Sequence, residues 1–309
     1  MILDFKIFTS IQEKKKKIDE VRPLSKSLVN KIREQVIIEW TYNSNAIEGT
    51  RLSLKETELV IEQGLTIKGI PLKDHFEALN HKEAILFLEK TIKKGNIKLD
   101  SFLIRQIHRL ILYKIDQENA GKYRDVQVKI SGSSYLPPSA LEVPIKMRSF
   151  DKWLKDSKNK RDLIDYSALA HFKLVNIHPF IDGNGRTSRL LMNLILMNKG
   201  YPPTIILKSD RPKYYQVLDF AHKGNVKPFI DFIGKNVERS LTWYLDAVTP
   251  EKRKEGVDKW QLLSQIAPKT PFSQEYLSLL ARRGRIEAVK KNRDWYSNLK
   301  AVNEYIKNK

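Results

Sequence analysis

The amino-acid sequence predicts an all-α protein, on three observations. Long segments carry apolar residues at helical spacing. Capping signals and glycines punctuate those segments. Strand-type alternation is confined to one stretch, residues 121 to 144, and to a short pair near the C-terminus. The expected architecture is a helical bundle with one β-hairpin, followed by a small C-terminal domain.

The elements follow in order. The lysine run at 14 to 17 reads as a solvated helix face or tail. SLVNKIREQVIIEWTYNSNA reads as a helix, with Gly49 suited to the position just past its end. Ser53 and Glu56 form a capping box that opens SLKETELVIEQG. PLKDHFEALNHKEAILFLEKTIKKG and LDSFLIRQIHRLILYKI are amphipathic helices. In GKYRDVQVKISGSSYLPPSALEVP, Val126, Val128 and Ile130 alternate and residues 131 to 134 can turn, which is a hairpin signal. DLIDYSALAHFKLVNIH, RPKYYQVLDFAHKG and KPFIDFIGKNVERSLTWYLDAV complete the helices.

Composition bounds the function. The chain has 309 residues, enough for one large or two modest domains. No apolar run approaches the ~18 residues of a membrane span. The start places its apolar part before its lysines and lacks a small-residue cleavage site, unlike a secretory signal. With no cysteine, disulfides and thiolate zinc sites are excluded. A cytoplasmic protein without membrane association is expected. The formal charge of +20 suits acidic partners such as nucleotides or nucleic acid, although much of it is lysine spread along the chain.

The most informative run is HPFIDGNGRTSR, residues 178 to 189. It offers a base in His178, a hard-metal ligand in Asp182, a Gly-Asn-Gly turn, and two arginines, Arg186 and Arg189. The following RTSRLLMNLILMNKG is helical and ends at Gly200, so the run is a loop opening a helix. Backbone N–H groups of Gly183, Asn184 and Gly185 then point out of a helix N-terminus, where anions bind. Glycine lets backbone approach a phosphate closely, and arginine's planar fork suits phosphate oxygens. His75, His81, His108 and His171 lack a third ligand pattern and are assigned structural roles.

This run resembles the HPFxDGNGRxxR motif of the Fic family at every specified position. The resemblance implies the Fic fold and an adenylyltransferase that moves AMP from ATP onto a protein hydroxyl, with Mg²⁺. It implies His178 as general base and Asp182 as the Mg²⁺ ligand. Gly183, Asn184 and Gly185 form the anion-binding turn. Arg186 meets the β-phosphate and Arg189 the γ-phosphate, with Thr187 and Ser188 in the same nucleotide-binding run. Phe180 packs inward and fixes the loop. Ser44-Asn45-Ala46-Ile47-Glu48-Gly49 is similar to the family's inhibitory pattern (S/T)xxxE(G/N). That implies a self-inhibitory helix over about 26–49 in which Glu48, supported by Ser44 and Gly49, pairs with Arg189 and crowds the γ-phosphate. The hairpin at 121–144 is implied to be a flap that registers a target segment as an added strand. Tyr215 and Leu218 are implied adenosine contacts, and position 222 is His where relatives often carry Asn.

Three regions are expected: an N-terminal helical region 1–100, a catalytic core 101–249 and a tail 250–309. EKRKEG marks a charged linker, and residues 250 to 309 hold 14 Lys and Arg against 7 Asp and Glu. The tail resembles winged helix-turn-helix domains of excisionase-like regulators. Ser273 caps its first helix, Gly284 turns, RIEAVKK forms its second helix, Asn292 to Tyr296 form a wing strand pair, and Ser297 opens a last helix. Arg282, Arg283, Arg285, Lys290, Lys291 and Arg293 are the cations available for DNA; a helical module for protein contact or homodimerisation is the alternative. Rival activities also stay open: another nucleotide donor, removal of AMP with Glu48 orienting a water, or a DNA-binding regulator with a nucleotide-sensing body. A kinase-like relative carries lysine at 185, where this chain has Gly185.

Overall fold

Residues 190–197, LLMNLILM, are apolar apart from Asn193, and a helix segment apolar on nearly every side must be surrounded. The computed structural model, which describes residues 1–130, 133, 135–157, 161–248 and 260–307, places that helix at the centre of the larger of two compact units. This unit is Met1–Val248. Its helices are α1 (Phe5–Glu20), α2 (Lys26–Glu48), α3 (Leu54–Gln63), α4 (Leu72–Lys94), α5 (Ser101–Ile111), α6 (Val143–Ser157), α7 (Leu163–Ile177), α8 (Asn184–Met197), α9 (Arg211–His222) and α10 (Lys227–Val248).

Three apolar clusters meet on α8. Met192 and Leu196 face the cluster built with α1, α7, α9 and α10. Leu190 and Leu194 face α2 to α5. Leu191 and Ile195 face α5, α6 and α7. Truncating a buried leucine of this kind costs about 2–5 kcal/mol, so the axis of α8 is fixed by packing on all sides. The loop at its N-terminus is fixed with it.

Sequence boundaries and structure agree at the caps. Ser25 caps α2, and Gly49, at φ +106°, ends it in the left-handed region. The Ser53–Glu56 capping box forms at α3. Two helices were not read from the sequence. In α1, Ile11 and Ile18 are fully buried two turns apart and flank the lysine run, of which Lys16 and Lys17 are exposed. In α6, Val143, Met147, Phe150 and Leu154 line one face.

The expected hairpin at 121–144 is corrected. Its described residues carry no paired strands, and Ser131, Gly132 and Ser134 of the expected turn lie outside them. Side chains take the place of a ladder. Arg124 donates to the carbonyls of Val126 and Pro138, and Gln127 to that of Pro137. Pro137 and Pro138 have no N–H to offer a partner strand.

The second unit, Thr249–Lys309, has its own core of Leu263, Ile266, Leu277, Leu280, Ile286 and Val302. Its elements are β1 (Gln261–Leu262), α11 (Leu263–Ile266), α12 (Gln274–Arg282), β2 (Ala288–Lys291), β3 (Asp294–Ser297) and α13 (Leu299–Lys307). The sheet order is β1-β3-β2, antiparallel throughout. Ser273 caps α12 and Gly284 turns at φ +62°. RIEAVKK is not a second helix: Ala288–Lys291 pairs with Asp294–Ser297 across an Asn292-Arg293 turn, with Asn292 at φ +56°. Asn292 and Arg293 are thus the turn rather than strand. Ser297 closes β3 and donates to the Glu287 carbonyl, while Asn298 accepts from Ala301 at the start of α13. The EKRKEG linker lies outside the described residues.

Candidate active site

The site forms where α7 stops and α8 starts. α7 ends because His178 takes a left-handed conformation, φ 50° and ψ 58°, with its N–H still on the Leu174 carbonyl. A non-glycine residue held there costs about 1–3 kcal/mol, so neighbouring contacts must impose it. Arg124 supplies them: its Nε donates to the His178 carbonyl at 2.8 Å, and its N–H to that of Pro179 at 2.9 Å. His178 Nδ1 lies 3.3 Å from the Val175 carbonyl, which places the proton on Nδ1 and leaves Nε2 as an acceptor. Burial lowers its pKa from 6.5 to about 4. The ring is therefore neutral at pH 7.

The rest of the loop is pinned from below. Phe180 is fully buried and stacks on His108, with ring centroids 3.7 Å apart. His108 Nε2 donates to the Asp182 carbonyl at 2.9 Å, while Nδ1 accepts from Gly121 N–H at 2.9 Å. This bridge needs a neutral ring, and burial lowers the His108 pKa to about 4. Asn184 exchanges two hydrogen bonds with the Phe180 backbone, 3.0 and 2.8 Å. Gly183, at φ +76°, sits against Ile111 and the His108 ring, where a Cβ would be tight.

Asp182 projects its carboxylate outward, 49% exposed. Burial of the residue opposes its ionisation. The Arg186 guanidinium, the Gly183 N–H and Lys73 outweigh that and hold its pKa below the ordinary value.

A cavity of about 330 Å³ opens above this loop. Its walls include Glu48 of α2, His178, Asp182 and the Gly183–Gly185 turn. Tyr215, Leu218, Asp219 and His222 of α9 close one side, and Lys129, Ile130 and Ser133 another. Ser133 donates to Asp219, and Tyr135 stacks on His222 with centroids 3.8 Å apart. His222 itself bonds Asn176 Oδ1 through Nδ1 at 3.0 Å. Lys129, Ile130 and Ser133 thus roof the cavity, with Tyr135 anchored on His222 beside them.

The two arginines lie behind this wall. Arg189 Nη2 reaches Glu48 Oε1 at 2.8 Å and the Ser44 carbonyl at 2.8 Å, and its Nε reaches Ser44 Oγ at 3.0 Å. Glu48 stands between Arg189 and the cavity. It also lies within contact distance of where a Cβ on Gly185 would be, so no side chain fits at 185 with Glu48 in place. Arg186 pairs with Glu77 Oε1 at 3.0 Å and Asp182 Oδ2 at 3.3 Å. Arg186 Nε and Nη1 and Arg189 Nη1 make no hydrogen bond among the described residues.

The structure therefore brings His178, Asp182, Gly183, Asn184, Gly185, Tyr215, Leu218 and Glu48 to one cavity, with Arg186, Arg189 and Ser44 directly behind. Thr187 and Ser188 do not reach it. Both are fully buried and neither lines the cavity, and Ser188 donates to the Asn184 carbonyl. Sequence reasoning missed Arg124, Tyr135, Arg211 and Glu77, and gave His108 a structural role without placing it under the loop. Arg211 donates to the Ile47 carbonyl at 2.7 Å and lies over the Tyr215 ring. None has a motif of its own; each acts through a partner far along the chain. Among the described residues, no cluster of three or more His, Asp or Glu side chains could hold a metal alone, and no helix is long and apolar enough to cross a membrane.

The Fic/DOC family profile matches residues 98–196, the span from α5 to α8. The chain is 35% identical over 284 residues to the protein adenylyltransferase Fic of Drosophila grimshawi, covering 88% of this chain and 58% of that protein. It is 38% identical over 251 residues to the protein of the same name from Nematostella vectensis, covering 80% and 57%. The solved structure of Fic-1 from C. elegans is 33% identical, with a TM-score of 0.72 over 80% of this chain and 73% of that one. A Fic domain containing signaling protein from Bacteroides thetaiotaomicron is 27% identical, with a TM-score of 0.73 over 78% and 98%. The chain belongs to the Fic/DOC family. It spans a little over half the length of these two curated relatives.

Proposed function

We propose that this chain transfers AMP from ATP to a hydroxyl side chain of a protein and that Glu48 holds the activity low. The observation that carries it is His178: a neutral imidazole with Nε2 unspent, at a cavity beside a helix N-terminus. The naming of relatives as protein adenylyltransferase Fic supports the same reaction.

In the proposed step His178 Nε2 takes the proton of the target hydroxyl. That oxygen bonds to the α-phosphorus, the bond to the β-phosphate oxygen breaks, and pyrophosphate leaves. The Gly183–Gly185 turn holds phosphate oxygens with backbone N–H groups. Arg186 meets the β-phosphate and Arg189 the γ-phosphate, charge placement that phosphoryl-type chemistry chiefly needs. Asp182, a half-exposed carboxylate at the cavity floor, fits a Mg²⁺ that takes its other oxygens from phosphates and water. The ion would neutralise charge between the α- and β-phosphates. Tyr215 and Leu218 hold the adenosine. The roof at Lys129, Ile130 and Ser133, with no paired strands among the described residues around it, is where a target backbone docks. With Glu48 seated, Arg189 is occupied and the γ-phosphate has no room, which is the self-inhibition.

The test is transfer of labelled AMP. His178→Ala is expected to lower transfer by about 10²–10⁴-fold, the range for a general base, with ADP affinity kept. Loss of ADP binding in a variant with unchanged fold would give His178 another role.

We also infer that the second unit is a winged-helix-like module for DNA. Arg282, Arg283, Arg285, Lys290, Lys291 and Arg293 are all exposed, at the end of α12, in the turn that follows it and on the β2–β3 hairpin. Reversing Arg285, Lys290 and Lys291 to Glu is expected to abolish low-salt DNA binding by the full chain, with a wild-type affinity that falls steeply as salt rises. No binding by the wild type at low ionic strength would assign the unit to protein contact.

A further inference from the structure

Arg186 is a cation with almost no water, its side chain 1% exposed. A buried charge needs a partner that stays. Asp182 is one partner, but its carboxylate is half exposed and faces the cavity, where the proposed reaction gives it to the metal. The partner that remains is Glu77, on the second turn of α4, 8% exposed.

Glu77 is itself fixed on three sides. Its Oε1 lies 3.0 Å from Arg186 Nη1. Its Oε2 accepts from Thr50 Oγ1 at 2.7 Å. Its backbone carbonyl accepts from Asn45 Nδ2 at 3.2 Å. Asp74, one turn earlier, accepts from Arg51 N–H at 2.8 Å and secures the same corner. Among the described residues, Glu77 is the side chain joined both to Arg186 and to the segment just after Glu48. The Nη1 contact is an ion pair without hydrogen-bond alignment, and Nε is unspent. Arg186 thus holds a buried Nε without a hydrogen-bond partner directly behind the cavity-lining Gly185, while Glu77 compensates its charge.

We propose that Glu77 is a positioning residue: it holds the Arg186 guanidinium aimed at the β-phosphate when Asp182 is engaged elsewhere. This rests on the reading of Arg186 as the β-phosphate ligand. Glu77 touches no substrate, so it acts only through Arg186. The consequence is selective. A nucleotide with a β-phosphate feels Glu77, and one without it does not.

The experiment is calorimetric titration of the full chain with ADP and with AMP. Wild type is expected to prefer ADP. Glu77→Gln is expected to lower ADP affinity about tenfold and leave AMP within about twofold, the loss of one charge-assisted contact. A merely structural role would shift both nucleotides together, and that result would overturn the proposal. Glu77→Gln leaves a buried cation short of a partner and Arg186→Gln leaves a buried anion short of one, so the double variant Glu77→Gln with Arg186→Gln provides the neutral pair that avoids both. In the Arg186→Gln background, Glu77→Gln is expected to change ADP affinity by less than about twofold. A further tenfold loss there would show that Glu77 acts by another route. If wild type does not distinguish ADP from AMP, the assignment of Arg186 falls first and this inference falls with it.

Discussion

Two arginines one turn apart on α8 meet opposite treatment. Arg186 is paired from α4 by a carboxylate that is 8% exposed and tied to Thr50. Arg189 is paired from α2 by a carboxylate that is 30% exposed and stands at the cavity wall. Both cations are nearly buried, so both need compensation. The difference lies in the anion. Glu77 sits within the second turn of α4, its backbone carbonyl held by Asn45 and its carboxylate by Thr50, and cannot leave without opening that turn. Glu48 is the last residue of α2, followed by Gly49 in the left-handed region, and a small change at that helix end frees it. One pair is architecture and the other is removable. That contrast is what a self-inhibited phosphate site requires.

The contrast can be broken by deleting each cation. Arg186→Ala leaves Glu77 buried beside Thr50 alone, with Lys73 at 3.9 Å, and is expected to cost about 3 kcal/mol of unfolding free energy. Arg189→Ala leaves a Glu48 that water already reaches, and is expected to cost only about 1 kcal/mol. Urea unfolding of both variants measures this. Equal losses would erase the distinction between the two pairs.

A smaller effect concerns the loop that both pairs flank. Burial lowers the pKa of His108 and His178 to about 4 and of His171 to about 3. The unfolded chain protonates these rings near 6.5 and the folded chain does not. Stability is therefore full above pH 6.5 and is lost as pH falls toward 4, by about 1 kcal/mol per ring at pH 5.5. Melting temperature against pH checks this, and His108→Gln should shallow the slope. The base at 178 stays neutral in the fold, so the acid limb of transfer is expected near pH 4–5 rather than 6.5.

Much of the site was legible because its residues are contiguous. HPFIDGNGRTSR places base, acid, turn and arginines on one loop and one helix start, and the apolar run behind it announces a buried helix. Glu48 was legible through the resemblance of Ser44 to Gly49 to the family's inhibitory pattern, and in the fold Ser44 and Glu48, four residues apart on α2, both meet Arg189. What escaped is non-local. Glu77 and His108 sit on amphipathic helices that look ordinary, and their meaning appears only when α4 and α5 pack against α8. Arg124 escaped for the same reason, and with it the fate of 121–144: side chains, not a ladder, tie its arms together. The reading of RIEAVKK as a helix failed because the Asn292-Arg293 turn outweighs helix propensity in a short segment.

The most direct test of the central claim is transfer of labelled AMP by Glu48→Gly beside wild type, with ADP and ATP titrations on both. Removing the carboxylate frees Arg189 and the γ-phosphate space. Transfer is expected to rise by about tenfold or more, the equivalent of at least about 1.4 kcal/mol. ADP should bind the two proteins alike, ATP should gain affinity or change pose only in the variant, and adding Arg189→Ala should remove the gain. Equal transfer by wild type and Glu48→Gly would contradict self-inhibition in this chain, even with His178 required for activity.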